Sequence, residues 1–199
     1  MDLGILTYPL IALVAGLVVI GVTVIWIYNR LVTLRNRLLN ALSQIDVQLK
    51  RRFDLVPNLV EATRAYLVHE KSTLEEMARL RGQGGGEISK NPKDQKTPPT
   101  AAIQNDLALT RAMGRFTAVV ESYPDLKANQ TIADLMEDLS TVENRVAYAR
   151  QAYNDAVMEY NQTREMFPAV LFASKMGFEQ AWLWWVDAPS RNKPTLATL

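Results

Sequence analysis

The sequence predicts an all-α protein in which one N-terminal transmembrane helix continues into an antiparallel bundle of long helices. Three observations predict it. Residues 3–28 contain no charged side chain. Beyond them the apolar residues recur at the steps of three, four and seven that place them on one face of a helix. No stretch shows the period-two alternation between turn signals that a half-buried strand requires.

The first element is the run LGILTYPLIALVAGLVVIGVTVIWIY. At about 1.5 Å per residue it is long enough for a hydrocarbon core of roughly 30 Å. An isolated segment in lipid must satisfy its own backbone polar groups, so it is helical. A cleaved signal peptide would carry a basic leader, and here residues 1–9 contain no Lys or Arg while Trp26 and Tyr28 close the run as interfacial residues do. Arg30, Arg35 and Arg37 follow the span and only Asp2 precedes it, so residues 29–199 are expected in the cytoplasm, with the N-terminus outside. Gly4, Gly16 and Gly21 permit close helix contact, but no G-x-x-x-G occurs in the run.

After the span, Leu31, Leu34, Leu38, Ala41, Ile45, Leu49, Phe53, Val56, Val60, Leu67, Leu74, Met77 and Leu80 form one stripe, predicting a helix to about residue 81. Pro57 lies inside it and predicts a kink or restart near 54–58. Residues 82–100, GQGGGEISKNPKDQKTPPT, cannot bury a core and read as a flexible linker. A second helix opens near Ala101 with Thr100 as its N-cap, carries Ile103, Leu107, Met113, Phe116, Val119 and Val120, and stops before Pro124. A turn over 123–129 follows, and Thr131 with Asp134 makes a capping pattern for a third helix. Its stripe is Ile132, Leu135, Leu139, Val142, Val146, Ala149, Tyr153, Val157 and Tyr160, and Phe167 with Pro168 ends it.

No single stripe is stable unless it faces another, hence the bundle. The first helix outreaches the third, roughly 75 Å against 50 Å at the helical rise. The aromatic-rich tail is the candidate to cover the difference. Its Trp182, Trp184 and Trp185 suit either docking on the bundle or anchoring at the membrane interface, and docking is favoured if the third helix runs parallel to the first. The expected organisation is N-terminus and span over 1–28, bundle over 29–166 with the 82–100 linker, and tail over 167–199.

Composition removes several chemistries. Lys and Arg total 22 against 21 Asp and Glu, a net charge of +1, which is not the basic surplus of a general nucleic-acid binder. With no Cys there is no disulfide, thiolate metal site or cysteine nucleophile, and the single His has no E-x-x-H partner. Tyr66, Ser72, Ala65 and Thr73 flank His69 at helical spacing, and none suits a metal. Asp134, Glu137 and Asp138 sit where a helix N-terminus favours negative charge. Gly84 to Gly86 lack the strand and the G-K-[ST] of a phosphate loop. No catalytic, cofactor or metal residue is therefore assigned, and the chain is expected not to be an enzyme.

Two stretches stand out for recognition. The first joins Gln44, Asp46, Lys50, Arg51, Arg52, Asp54 and Asn58 around the proline; the second is the turn with Tyr123, Asp125, Lys127 and Asn129. Asn144, Arg145, Arg150, Tyr153 and Asn154 are read as buried polar contacts that fix bundle register.

Residues 28–36, YNRLVTLRN, and 43–60, SQIDVQLKRRFDLVPNLV, resemble the LemA family, as do 121–129, ESYPDLKAN, and 143–154, ENRVAYARQAYN, with Phe167-Pro168 and Gly177-Phe178 closing the match. The resemblance covers roughly residues 25–180. It implies a single-pass protein of the bacterial cell (inner) membrane, with a short outer N-terminus and a cytoplasmic helical bundle, and it brings no enzymatic activity, cofactor or catalytic residue. The linker and the Trp-rich tail depart from the usual pattern. The expected function is a membrane-anchored, non-catalytic adaptor or scaffold held in the bilayer by residues 3–28 and binding a protein partner. The alternative is a self-assembling homo-oligomer that organises or shapes membrane; no nucleic-acid partner is expected.

Overall fold

In a computed structural model, residues 3–64, 66–67, 70–83 and 100–184 are described. Helix α1, Leu3–Thr63, is one unbroken helix of 61 residues that begins in the apolar run and continues into the bundle. Its first part is exposed on all sides, from Leu10 through Val22. Nothing in the described protein covers that surface, which is what a helix facing lipid shows and a core helix does not. Further on, Leu31, Leu34, Leu38, Leu42, Ile45, Leu49, Val56 and Leu59 are buried. Leu42 and Leu59 take the deep positions expected for Ala41 and Val60, which pack at the margin.

Pro57 does not interrupt α1. Its fixed φ is already helical, so the proline forfeits one backbone hydrogen bond without forcing a stop. The break comes later, over 64–70, where the backbone amides of Tyr66 and Leu67 both donate to the Thr63 carbonyl (3.0 Å each) and Leu67 is buried under the turn. The single long helix expected over 29–81 is thus two helices. Apolar residues at 60, 67 and 74 keep step across the reversal, and no Gly or Pro marks it, so periodicity alone conceals it.

Helix α2, Lys71–Gln83, runs back along α1 and takes in Gly82 and Gln83 as its last residues. Residues 84–99 of the predicted linker, His69 and everything from Trp185 onward lie outside the described residues, and Thr100, predicted as the last linker residue and the N-cap, is the first residue of the next helix. Helix α3, Thr100–Ser122, runs outward again, with Arg115 paired to Glu76 of α2 (2.6 Å). A short helix α4, Pro124–Lys127, has proline in its first turn, where no donor is needed. Helix α5, Gln130–Glu165, returns the whole way at roughly 54 Å. Asn129 is its N-cap, accepting from the Ile132 amide (3.3 Å), so the cap falls two residues before the predicted Thr131.

Ion pairs set the direction of α5. Glu143 meets Arg52, and further along Glu159 meets Arg30 (2.6 Å) and Arg37 (3.8 Å), so α5 is antiparallel to α1. The chain therefore leaves α5 at the end nearest the apolar segment, not at the far end that a parallel third helix implies. After a cis Phe167–Pro168 bond and a 3-10 turn over Ala169–Leu171, the tail folds back along α5. The far half of the molecule is a four-helix bundle of α1, α2, α3 and α5. The near half is a pair, α1 and α5, with the tail as the third element.

Candidate functional site

Arg52 sits at a core position of α1, between Leu49 and Val56 in the stripe, and is only 2% exposed. Asp106 holds the equivalent position on α3, ahead of Leu109 and Met113, and is equally buried. Arg52 donates to Asp106 Oδ1, to Thr110 Oγ1 and to Glu143 Oε1, each at 3.0 Å. The other Asp106 oxygen accepts from Arg150 of α5. Two cations and two anions thus link three helices. Arg150 also lies over the Trp184 ring (5.9 Å), tying the tail to the same cluster.

Burial pushes the Arg52 guanidinium below its usual range, opposed by the charge and hydrogen bond of Glu143. Burial and the neighbouring Arg52 bring Arg150 down to about 10, so it stays charged at neutral pH. The cluster contains no nucleophile paired with a base. Among the described residues, no group of three or more Asp, Glu or His is placed to hold a metal ion. Its geometry fixes which helix faces which.

A second constellation grips the tail. Tyr153-Asn154 and Tyr160-Asn161 are the same pair repeated seven residues apart on α5. Asn161 donates to the Ala181 carbonyl (2.8 Å) and accepts from its amide (2.9 Å). Asn154 does the same with Trp184 (3.1 and 2.7 Å). Tyr160 and Tyr153 donate to the carbonyls of Glu179 (2.9 Å) and Trp182 (3.0 Å). Seven helical residues advance about 10 Å, as do three extended ones, so helix and tail keep register over the two repeats. Trp182 packs on Tyr153 (5.0 Å) and Trp184 (5.8 Å), and Phe178 meets Tyr28 (5.5 Å) and lies under Arg35 (5.1 Å). The described part of the tail docks on the bundle.

The residues singled out for recognition separate accordingly. Gln44, Arg51, Asp54 and Asn58 are exposed on the outer face of α1, with Val47 among them; Lys50 is exposed and Asp46 half-buried at its flank. Arg52 turns inward and is unavailable to a partner. Asp125 and Lys127 are exposed at the end farthest from the apolar segment, where Tyr123 is half-buried and Asn129 Nδ2 donates to Tyr66 Oη (3.3 Å). The two stretches are thus distinct surfaces, one on the flank of α1 and one at the distal tip. Between them, α1 and α2 enclose two adjoining grooves of about 410 Å³ each, sharing Val60, Arg64 and Ala78. Of the five expected register residues, Arg150, Tyr153 and Asn154 make internal polar contacts, while Asn144 and Arg145 are exposed. Asp106 and Asn161 were not anticipated. A charged residue in phase with an apolar stripe, and a dipeptide repeated at seven residues, are the signals that mark them.

Comparison with known proteins bears on the same residues. A family model described as the LemA family matches residues 41–197, most of the chain, including the Arg52 cluster and the repeated Tyr-Asn pair. The chain belongs to the LemA family. The match takes in the described part of the tail, which packs on α5, as well as the bundle. Similar curated proteins are magnetosome protein MamQ 2 and magnetosome protein MamQ 1 of Paramagnetospirillum magneticum, each 27% identical over 191 residues, covering 87% of this chain and 70% of the relative. Magnetosome protein MamQ of Magnetospirillum gryphiswaldense is 28% identical over 185 residues, covering 84% and 68%. Among its described residues, this LemA-family chain has one helix long and apolar enough to cross a membrane, and that window is 6% buried.

Proposed function

We propose that this LemA-family protein is a membrane-anchored, non-catalytic scaffold that holds a rigid helical bundle on the cytoplasmic face of the membrane for a protein partner. One observation carries the reading: α1 runs without interruption from the exposed apolar segment into the bundle core. A continuous helix transmits position and orientation from the bilayer to surfaces tens of ångströms away, which a flexible tether does not. The internal charges are occupied in holding helices together. The free polar surface lies on the α1 flank around Arg51 and at the distal tip around Lys127, and the arginines after the span favour a cytoplasmic bundle. The relatives' name gives the reading an organelle-associated precedent in MamQ, without extending that organelle to this chain.

The test is affinity capture from solubilised membranes with the exposed flank reversed in charge, Lys50→Glu with Arg51→Glu, leaving Arg52 intact. Loss of one co-purifying protein at unchanged expression supports the scaffold. An unchanged set of partners removes the α1 flank as the docking surface, and recovery of the chain only with itself favours a self-assembling membrane organiser.

A further inference from the structure

We infer that the turn between α5 and the tail is a second membrane contact, which seats the bundle directly on the bilayer surface. The inference rests on the reading of α1 as a membrane span and goes beyond it. Met166, Phe167, Val170 and Leu171 are all exposed, Phe167 at 79%. Beyond the span, the other large apolar side chains exposed among the described residues, such as Val47, Tyr66, Tyr148 and Met158, are scattered singly. Four within six residues form a contiguous patch of the kind that marks an interaction site.

Position along α1 identifies the occupant. Glu159 reaches both Arg30 and Arg37, which sets it level with the stretch of α1 between them. Six further residues bring Glu165 to about the level of Tyr28, at the same rise per residue in both helices. The turn beyond it rises higher. The burial of α1 marks the same edge: Val22 is exposed, Thr23 and Val24 are half-buried, and Ile27 is buried. The top of the bundle therefore overlaps the end of the apolar run, where Trp26 and Tyr28 stand. With the run in the bilayer, the turn lies in the interfacial zone, where its apolar side chains leave water while the exposed Lys175 behind it faces the headgroups. Trp182 and Trp184, the obvious interfacial residues of the tail sequence, are used instead to dock the tail on α5.

The chain has no cysteine, so single-cysteine variants carry one nitroxide each. Phe167→Cys and Leu171→Cys, with Val14→Cys in the span and Lys127→Cys at the tip, are labelled in the full chain and reconstituted into phosphatidylethanolamine–phosphatidylglycerol vesicles. Both substituted side chains in the turn are exposed, and circular dichroism checks that each variant keeps its helix content. Accessibility to oxygen and to a water-soluble nickel chelate is read by power saturation. The expected result is a nickel accessibility at 167 and 171 several-fold below that at 127, at a depth shallower than 14. Equal nickel accessibility at 167, 171 and 127, with 14 in lipid, overturns the second contact and leaves the span standing. Water exposure at 14 overturns the span and this inference together. Spin–spin broadening between labels at 171 assigns the patch to a second copy of the chain and also overturns it.

Discussion

Arg52 is held inside the bundle by partners on two other helices, and its burial is tolerable only while they are present. A guanidinium taken out of water loses hydration that a single ion pair seldom restores. Asp106 supplies one oxygen to Arg52 and the other to Arg150, so it is the hinge of the cluster. Asp106→Ala leaves two arginines facing each other and is expected to destabilise the full chain in detergent by about 3–5 kcal/mol, read as a fall in Tm by circular dichroism. Arg52→Met combined with Asp106→Leu should recover much of that loss, because an apolar pair replaces a charged one. A second residue-scale effect concerns Tyr153, fully buried and held in its neutral form by burial, which raises its pKa above the usual 10. Between the unfolded and folded values the unfolded chain binds fewer protons, so this tyrosine's contribution is complete below pH 10 and declines as pH rises above it. Tyr153→Phe should flatten the alkaline loss of stability. A stability-against-pH curve parallel to that of the parent would contradict the assignment. Arg150, lowered to about 10, acts in the opposite sense in the same range, which is why the comparison is with the phenylalanine variant and not with neutral pH alone.

At the scale of elements, the tail's attachment to α5 depends on two asparagines whose side chains act as substitute backbone. Each closes a pair of hydrogen bonds with one tail residue, satisfying an extended segment that has no neighbouring strand. Asn154→Ala or Asn161→Ala should cost about 1–3 kcal/mol of local stability and speed hydrogen exchange at 178–184, with Asn144→Ala, on the exposed face, leaving exchange there unchanged. The stripes of α1, α3 and α5 were legible because burial of one face imposes the helical period directly on the residue order. The return of the chain over 64–70 was not, since the apolar step continues through it and the reversal depends on where α3 offers a partner. Pro57 misled in the other direction: it predicts interruption locally, but a long packed helix absorbs the loss of one hydrogen bond. The α5 cap at Asn129 was hidden behind Thr131 because both residue types cap helices, and the short helix α4 decides which lies at the boundary. Arg52 was assigned to an outward surface because three basic residues in a row look alike in sequence, although only its phase coincides with the core.

For the whole molecule, one helix joins two environments. Its apolar segment is uncovered by protein from Leu10 to Val22; from Ile27 onward it is apolar on one face and covered by α5, α2, α3 and the tail. Arg30, Arg35 and Arg37 at the junction do more than bias orientation, since they also hold Glu159 and Phe178 and so lock the bundle's near end to the end of the apolar segment. The orientation predicts that Lys127→Cys in intact spheroplasts is unreactive toward a membrane-impermeant maleimide and reacts once the membrane is opened. Reaction before opening would place the bundle outside.

The central claim, a rigid bundle presented by the membrane to a protein partner, is tested most directly by photocrosslinking in native membranes, with photoreactive residues at Arg51 on the flank and Lys127 at the tip and mass spectrometry of the adducts. The account predicts adducts from at least one of these positions to one other protein. Adducts only to a second copy of the chain or to lipid, from both positions, would contradict it.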